Sequence, residues 1–375
     1  MSLEDTAAAT ARLSGVVSDR LPDCLVIIAR EGWGNTDFIE FSRGAMALGV
    51  DVRFIGYPAS RTVDVTPIIH TPQVGLSPLA FTWEAARICR NILRENPSKV
   101  TAIHVRYFKT CSMLPILMGA PAALDFRSGS IRRSATIRYI ENKIMRVEAL
   151  AYDRVTVISR GVGAVLGLRQ FRELPLGASR NLLAIPRERV RDPENLRFIY
   201  VGTLRQRNID LFASAFADFV ASRGLAWRLD LYGYGSDEEV ASLNAVALRC
   251  SGVRFLGNLT RTELPVRLAE ADIGVSYVPM TPYFNWQPPT KTFEYLMAGL
   301  PTLATRTAAN AEIVQAGCGW LCDDTADSIM DALACIERLK GKWTVNREAM
   351  QNWTWEAIFD KYYLNEILRR QIWIA

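Results

Sequence analysis

Several features that would support other kinds of protein are scarce in this chain of 375 residues. It has two histidines, His70 and His104, and no D-x-D triplet, so a metal site has few ligands to draw on and we predict none. Its seven cysteines form no C-x-x-C pair, which is typical of reduced thiols and not of disulfides or a zinc ribbon. No run of about 18 apolar residues occurs, as a membrane-spanning helix would need.

The first twenty residues contain no long apolar run and no cleavage-site pattern, so they do not resemble a signal peptide. We therefore expect a cytoplasmic protein. With 49% hydrophobic and 22% charged residues, the composition is that of a globular protein able to bury a large core. A chain of this length accommodates two domains of typical size.

Buried-strand patterns alternate with helical patterns along most of the chain. The apolar run from Cys24 to Ala29 is typical of a parallel strand buried on both faces, and a glycine turn, an amphipathic helix and a second strand follow it. The same alternation begins again at Phe198, after a segment rich in proline and charge at 186–193. The sequence therefore predicts two Rossmann-like α/β domains, residues 1–185 and residues 194–355.

The segment P-P-T-K-T-F-E-Y-L-M-A-G-L-P, which begins at Pro288, carries the most specific chemical signal. The two prolines favour an extended approach to a short helix, and Thr290 is predicted to cap the first N–H groups of that helix. The helix dipole and the ammonium of Lys291 then favour an anion such as phosphate. Glu294, one turn further on, can accept hydrogen bonds from hydroxyls. A phosphate beside a hydroxyl-bearing ring describes a nucleotide.

This segment resembles the donor site of the retaining GT-B glycosyltransferases, the group-1 or family-4 class. Most members carry two glutamates as E-x7-E; Glu294 matches the second, whereas Trp286, followed by Gln287, takes the place of the first. The resemblance implies a ribose contact for Glu294, whereas the sugar-side contact is left open; Gln287, beside Trp286, is a donor-binding candidate. It implies two Rossmann-like domains that face each other across a cleft. It also implies a C-terminal helix, at about 356–375, that packs back on the first domain.

A second resemblance lies at the loop T-L-R-Q-R-N, which follows the strand that ends at Gly202. It is similar to the family loop whose basic residues bind the donor diphosphate. Thr203 occupies the usual arginine position, so either Arg205 or Arg207 takes that role. The segment "GVRFLGNLT" resembles the part of the family whose backbone reads the base, which implies uracil or guanine. The remaining donor-side candidates are Gly233 and Gly235, which follow the next strand, and Asn258 and Leu259 in that segment.

Asp125 and Arg127 follow a buried strand, and ligands of parallel sheets bind beyond the carboxyl ends of strands. They are our acceptor-side catalytic candidates, although the family's Asp-x-His element is absent. The loop of Gly32 and Gly34 is similar to glycine loops that face the cleft in the family. Basic residues between Arg127 and Arg160 favour either a solvated surface or a contact with anionic lipid head groups or a pyrophosphate acceptor. These basic residues are Arg127, Arg132, Arg133, Arg138, Lys143, Arg146, Arg154 and Arg160.

The resemblance implies transfer, with retention, of a hexose-type sugar from a UDP- or GDP-sugar to a saccharide or lipid-linked acceptor, in surface polysaccharide or lipopolysaccharide assembly. Arg207 and Lys291 would stabilise charge on the departing diphosphate. No other cofactor and no nucleic acid partner is expected. A lipid-linked acceptor would bring the protein to the inner face of the membrane. Three alternatives stay open: a catalytically inactive partner subunit without the first glutamate, a nucleotide-sugar 2-epimerase, and a solute-binding protein.

Overall fold

The computed structural model describes residues 21–58, 65–95, 97–132, 134–186, 191–317 and 319–369. The chain divides into two compact units, Met1–Pro175 with Ile358–Ala375, and Leu176–Ala357. We call them the first and the second unit. Each contains one parallel sheet flanked by helices, as the alternating pattern predicted. Among the helices of the described residues, none combines the length and the apolar character that crossing a bilayer requires.

The sheet of the first unit has the strand order β3-β2-β1-β4-β5-β6-β7. Its strands are β1 (Cys24–Gly32), β2 (Asp51–Tyr57), β3 (Ile68–His70), β4 (Thr101–Arg106), β5 (Ala123–Phe126), β6 (Arg154–Val157) and β7 (Arg172–Glu173). Its helices are α1 (Thr36–Ala47), α2 (Pro78–Glu95), α3 (Leu114–Met118), α4 (Ala135–Ala149) and α5 (Arg160–Leu166).

Strand β1 lies at the centre of this sheet because its side chains are apolar on both faces. The residues from Cys24 to Ala29 are all buried, and β1 pairs in parallel with β2 on one side and with β4 on the other. The order of the strands reverses between β1 and β4. Loops that leave the carboxyl ends of strands at such a point diverge, and the gap between them is a common ligand site.

The sheet of the second unit has the order β10-β9-β8-β11-β12-β13. Its strands are β8 (Arg197–Val201), β9 (Arg228–Tyr232), β10 (Val253–Phe255), β11 (Ile273–Ser276), β12 (Thr302–Thr305) and β13 (Gly319–Cys322). Its helices are α6 (Ile209–Arg223), α7 (Asp237–Arg249), α8 (Leu264–Glu270), α9 (Pro282–Asn285), α10 (Thr290–Met297), α11 (Ala308–Gly317), α12 (Ala326–Leu339), α13 (Arg347–Met350) and α14 (Trp355–Ile358).

The boundary between the units lies earlier than the predicted end of the first domain at residue 185. Residues 176–185 belong to the second unit because Ala178, Leu182 and Ile185 are buried in its apolar core. Ala178 also bridges in parallel to Thr354 near the end of that unit. Of the linker predicted at 186–193, residues 187–190 lie outside the described residues.

The chain returns to the first unit at Ile358, where a π-helix, Phe359–Leu368, follows α14. Its aromatic side chains pack on first-unit residues: the Tyr363 ring stacks on that of Phe41 with centroids 4.3 Å apart. The Tyr363 hydroxyl lies 3.0 Å from Nδ1 of His104. The predicted single helix is therefore replaced, in residues 355–368, by a short α-helix and a longer π-helix. Residues 370–375 lie outside the described part of the chain.

Candidate functional site

In the second unit, the loops after β8 and β9 approach each other through two glycines. Gly202 and Gly233 have φ angles of 150° and 157°, which side chains rarely tolerate. A Cβ atom on Gly233 would lie 1.8 Å from the carbonyl oxygen of Gly202, so this position admits no larger residue without movement of the backbone. The Gly233 N–H in turn donates to the carbonyl of Gly257, which follows β10 (2.8 Å). Backbone contacts thus join the carboxyl ends of β8, β9 and β10.

Lys291, in the first turn of α10, lies beside this glycine floor. Its Nζ is 3.6 Å from the centroid of the Tyr200 ring, and a Cβ atom on Gly202 would lie 3.4 Å from it. The Nζ atom is buried and has no hydrogen-bond partner among the described residues. Burial lowers the pKa of Lys291 well below its ordinary value, and the positive charge of Arg207 lowers it further. A buried ammonium without a hydrogen-bond acceptor is stabilised by any anion that reaches it.

Arg207 is the loop arginine that lies near Lys291. Gln206 and Asn208 on either side of it have left-handed φ angles of 55° and 49°, and this turn directs the Arg207 guanidinium to a point 4.2 Å from the centroid of the Phe284 ring. Arg205, in contrast, is exposed, and its charge acts on Glu239. Of the two predicted diphosphate contacts, the structure therefore brings Arg207 and not Arg205 together with Lys291.

Glu294 lies one turn after Lys291 on the same helix. Burial raises the pKa of the Glu294 carboxyl, against the lowering effect of the charges of Arg261 and Lys291. A carboxylate offers about four lone-pair sites, so its oxygens can accept hydrogen bonds from ligand hydroxyls.

The predicted capping role of Thr290 is wrong. The N-cap of α10 is Pro289, which has the extended angles φ −71° and ψ 133°, and no side chain caps the helix. Thr290 is already helical because the two prolines supply the extended residue that precedes the helix. The start of α10 is thus left without a side-chain acceptor. Just before it, Oε1 of Gln287 is buried without a hydrogen-bond partner in the described residues.

Buried hydroxyl and amide groups fix α10 against the sheet. The Thr292 hydroxyl lies 2.7 Å from the hydroxyl of Ser276 on β11 and 3.0 Å from Oδ1 of Asn310 on α11. Nδ2 of Asn310 donates to the carbonyl of Thr305 on β12 (3.0 Å). The Tyr295 hydroxyl accepts from the backbone N–H at the end of β8 (2.8 Å). Because this network is buried and satisfied, it holds Lys291 and Glu294 in place.

The other donor-side candidates lie near the same strand ends. Thr203 Oγ1 accepts from the backbone N–H of Arg205 (3.2 Å), which shapes the loop. Gly235 leaves room for the capping box of α7, since a Cβ atom there would lie 2.7 Å from Oε2 of Glu239. Asn258 is exposed, whereas the Leu259 side chain packs on the core, so Leu259 can offer only backbone groups to a base. Their contacts with a ligand stay predictions.

In the first unit, Asp125 and Arg127 belong to a buried ion network. Asp125 is fully buried, and it accepts hydrogen bonds from Nε of Arg127 (2.7 Å) and from the Thr156 hydroxyl (2.7 Å). Arg106 bonds to Asp37 (2.7 Å) behind them. Burial alone would raise the pKa of Asp125, but the charges of Arg127 and Arg106 outweigh it and hold the pKa far below its ordinary value. An anion held in this way orients arginines and is poorly suited to take a proton.

The glycine loop of the first unit is built around Trp33. This tryptophan is buried between Gly32 and Gly34, and its Nε1 donates to the carbonyl of Val65 (3.1 Å). Gly32 is the last residue of β1, and Gly34 has a φ of 138°. The two glycines thus allow a tight exit from β1 around a large buried side chain. A ligand contact for them stays a prediction.

Three residues of these sites were missed in the sequence. Tyr200 supplies the ring under Lys291, Phe284 the ring under Arg207, and Arg261 a charge near Glu294. All three depend on tertiary contacts between segments more than 30 residues apart. Arg106, whose position at the end of a buried strand is visible in the sequence, completes the network of Asp125.

The second unit is the part of the chain that matches a family model. Residues 195–338 match the model of the glycosyl transferases group 1. This range contains Gly202, Arg207, Lys291 and Glu294. A search of curated proteins found no match to the sequence.

Solved structures extend the similarity to the fold of nearly the whole chain. An alpha,alpha-trehalose-phosphate synthase (UDP-forming) from Burkholderia vietnamiensis is 11% identical with a TM-score of 0.67, over 92% of this chain and 98% of that one. HepE of Anabaena in complex with UDP-glucose is 14% identical with a TM-score of 0.65, over 90% of this chain and 97% of that one. WaaG, a glycosyltransferase involved in lipopolysaccharide biosynthesis, is 14% identical with a TM-score of 0.58, over 92% and 97%.

At these identities the likeness concerns the fold, which is that of the GT-B glycosyltransferases. The predicted class, two Rossmann-like domains of GT-B type, is confirmed. The group-1 domain in the second unit and these neighbours together support a glycosyltransferase.

Proposed function

We propose that this glycosyltransferase takes its sugar from a nucleoside diphosphate sugar, with UDP as the nucleotide, bound in the second unit. The observation that carries the proposal is the buried Nζ of Lys291, which has no hydrogen-bond acceptor among the described residues. A buried ammonium without an acceptor is costly, and a diphosphate would supply both charge and acceptor oxygens. Glu294, one helical turn away, has carboxylate oxygens that can accept hydrogen bonds from the ribose hydroxyls. HepE, which shares this fold, was solved with UDP-glucose.

The chemistry proposed for this site depends on cations. When the bond to the sugar breaks, negative charge develops on the diphosphate oxygen, and Lys291 and Arg207 stabilise it. In a retaining reaction with front-side departure, that oxygen also takes the proton of the acceptor hydroxyl. This route requires no protein nucleophile. It agrees with the state of Asp125, which is buried and held as an anion by arginines.

A catalytically inactive subunit is the second candidate, because Trp286 stands where the family has its first glutamate. Trp286 ends the short helix α9, four residues before α10 begins. A large ring there changes the sugar side of the site while leaving Lys291 and Glu294 unaltered. The inactive subunit would therefore bind the nucleotide and fail to turn over the sugar.

The test combines binding and turnover. Binding of UDP-, GDP-, dTDP- and ADP-sugars is measured by calorimetry with the wild type, with Lys291→Met, and with Lys342→Met as an exposed control lysine of the second unit. We expect UDP-sugars to bind best and to lose affinity only in Lys291→Met. Slow hydrolysis of the bound donor without acceptor identifies the enzyme, and conversion to the 2-epimer identifies an epimerase. Equal binding by all three proteins would contradict the donor site.

We further propose a lipid-linked acceptor at the inner face of the membrane, in surface polysaccharide or lipopolysaccharide assembly. WaaG, which shares this fold, is a glycosyltransferase involved in lipopolysaccharide biosynthesis. The support lies on α4, where Ile140 and Val147 are 51% and 64% exposed. Apolar side chains among basic ones suit an anionic membrane surface. Further exposed apolar residues of this helix are Ile137 and Ile144, and its basic residues are Arg138, Lys143 and Arg146.

Vesicle co-sedimentation at low and high salt tests this contact. We expect the wild type to bind vesicles rich in anionic lipid at low salt, and the double variant Arg132→Glu, Arg138→Glu to lose this binding. Each basic residue near such a surface contributes about 1 kcal/mol, so binding should be weak and sensitive to salt. Arg133, also predicted on this face, lies outside the described residues. Indifference of the wild type to anionic vesicles would contradict the proposal.

A further inference from the structure

The first unit contains a pocket of about 560 Å³ at the carboxyl ends of β1, β4 and β5. Arg30 and Glu31 line it from β1, Arg106 from β4, and the loop that begins at Arg127 from β5. The pocket lies where the strand order of the sheet reverses, between β1 and β4. Such positions commonly bind ligands in parallel α/β sheets. All the residues that line it belong to the first unit, so the pocket is a feature of that unit by itself.

Arg127 lines this pocket, and its guanidinium is oriented but only partly used in hydrogen bonds. Its Nε donates to Asp125 (2.7 Å), and its Nη1 donates to the carbonyl of Leu174 (2.8 Å). Its Nη2 has no hydrogen-bond partner among the described residues. The ring of Phe41 lies 5.7 Å from its Cζ and limits its movement. A guanidinium fixed on two sides loses little conformational freedom when its remaining donors bind an anion.

A second group of cations lies on another wall of the same pocket. Lys109 and Arg132 both contact one carboxylate, that of Glu141, at 3.1 Å and 3.3 Å. The Ser130 hydroxyl donates to the same carboxylate, and with the two cations it lowers the pKa of Glu141 to about 2. Because two cations share one anion, this wall keeps an excess of positive charge at neutral pH.

The balance of charge in the pocket is positive even when the anions behind its walls are counted. Five cations line it, against the carboxylates of Glu31 and Glu141. Asp37 and Asp125 lie behind Arg106 and Arg127 and still leave one cation in excess. The lining cations are Arg30, Arg106, Lys109, Arg127 and Arg132.

The same pocket has an apolar side formed by Phe108, Met145 and two isoleucines. Ile131 is 68% exposed and Ile144 is 47% exposed, although both are strongly apolar. A ligand that covered these side chains would gain the burial of apolar surface in addition to charge pairing. A wholly polar anion would leave this side unused.

We propose that this pocket binds the acceptor through a phosphate-type anion joined to an apolar group, with Arg127 as the anchor of the phosphate. That the ligand is the acceptor rests on the proposed function; that the pocket binds such an anion does not. Ser128, Gly129 and Ser130 line the same side as Arg127 and can add donors to a tetrahedral anion. Asp125 then acts as a positioning residue, because it orients Arg127 from behind.

The test uses n-decyl phosphate as probe, below its micelle concentration, with decanol and inorganic phosphate as the apolar and the polar half of the probe. Binding is measured by calorimetry in the presence of saturating UDP and again in Lys291→Met, so that the donor site cannot account for it. The variants are Arg127→Gln and Arg132→Gln; the latter side chain is 60% exposed and lies outside the buried network. Arg87→Gln, at an exposed arginine of α2 that pairs with Glu84 and is not among the lining residues, serves as a matched control.

We expect decyl phosphate to bind more tightly than either half, and each pocket variant to lose about tenfold in affinity, as expected for a charge-assisted hydrogen bond. The Arg87→Gln control should bind as the wild type does. If inorganic phosphate bound as tightly as decyl phosphate, the apolar part of the proposal would be wrong. If decanol bound as tightly as decyl phosphate, the anionic part would be wrong. Loss of binding on addition of UDP or in Lys291→Met would assign the probe to the second unit.

Discussion

Replacing Lys291 by methionine should make the unliganded protein more stable while removing most of its affinity for UDP. Methionine keeps an unbranched apolar stem against the Tyr200 ring, so the packing is largely preserved. It removes an ammonium that is buried without an acceptor among the described residues. The two effects have opposite signs because the charge is unfavourable in the empty site and favourable beside a diphosphate.

The size of the first effect follows from the pKa of Lys291, which burial lowers from its ordinary value of 10.5. Each unit of that lowering corresponds to about 1.4 kcal/mol of unfolding free energy. Below the folded-state pKa both states are protonated, so the full penalty is present. As pH rises from that pKa towards 10.5, the unfolded state binds more protons than the folded state, and the stability of the wild type increases. Lys291→Met should lack this rise.

The second effect is the loss of a charge-assisted contact, about 1.5–3 kcal/mol or roughly ten- to a hundredfold in Kd. The assay is thermal unfolding with and without UDP at several pH values. UDP at 100 times its Kd should stabilise the wild type by about 2.7 kcal/mol, and the same concentration should stabilise the variant far less. A variant that unfolds at a lower temperature than the wild type without ligand, or that responds equally to UDP, would refute this reasoning.

Three further changes test other parts of the donor site. Glu294→Gln should weaken uridine and UDP equally, by about 1.5–3 kcal/mol in calorimetry, since the ribose is common to both; unchanged uridine binding would remove the ribose assignment. The wild type should also lose stability as pH rises above 4.5, because the folded-state pKa of this carboxyl is raised. Glu294→Gln should not show this loss. Gly233→Ala, whose Cβ would lie 1.8 Å from the Gly202 carbonyl, should cost more unfolding free energy in denaturant titrations than Gly224→Ala, which meets nothing within 4 Å; equal costs would contradict the close approach. Arg207→Gln should lower kcat about a hundredfold in steady-state kinetics; a change in KM alone would restrict Arg207 to binding.

Much of the fold could be predicted because its signals are local. The buried run of β1, the glycine turns and the helix from Thr290 to the glycine after it are visible as patterns of neighbouring residues. The short strands β3 and β7 could not be recognised, since two or three residues carry no periodicity and depend on a neighbouring strand for their hydrogen bonds. The start of α10 was misjudged because Pro289, and not a hydroxyl side chain, provides the N-cap.

The chemistry of the donor site was only partly visible in the sequence. Lys291 and Glu294 could be proposed from their spacing on one helix, but the burial that changes both pKa values comes from residues distant in the chain. The choice between Arg205 and Arg207 could not be made from the sequence either. It depends on the left-handed turn at residues 206–208 and on the Phe284 ring beside it.

The most direct test of the central claim is the number of protons taken up when UDP binds, measured by calorimetry at a series of pH values from about 8.5 up to the ordinary lysine pKa of 10.5, in buffers of different ionisation enthalpy. Over this range the diphosphate is already fully ionised, so uptake reports on the protein. A diphosphate placed against Lys291 should restore its lowered pKa, and the wild type should take up a proton that Lys291→Met does not. Equal uptake by both proteins, or none by the wild type, would contradict a donor diphosphate at Lys291.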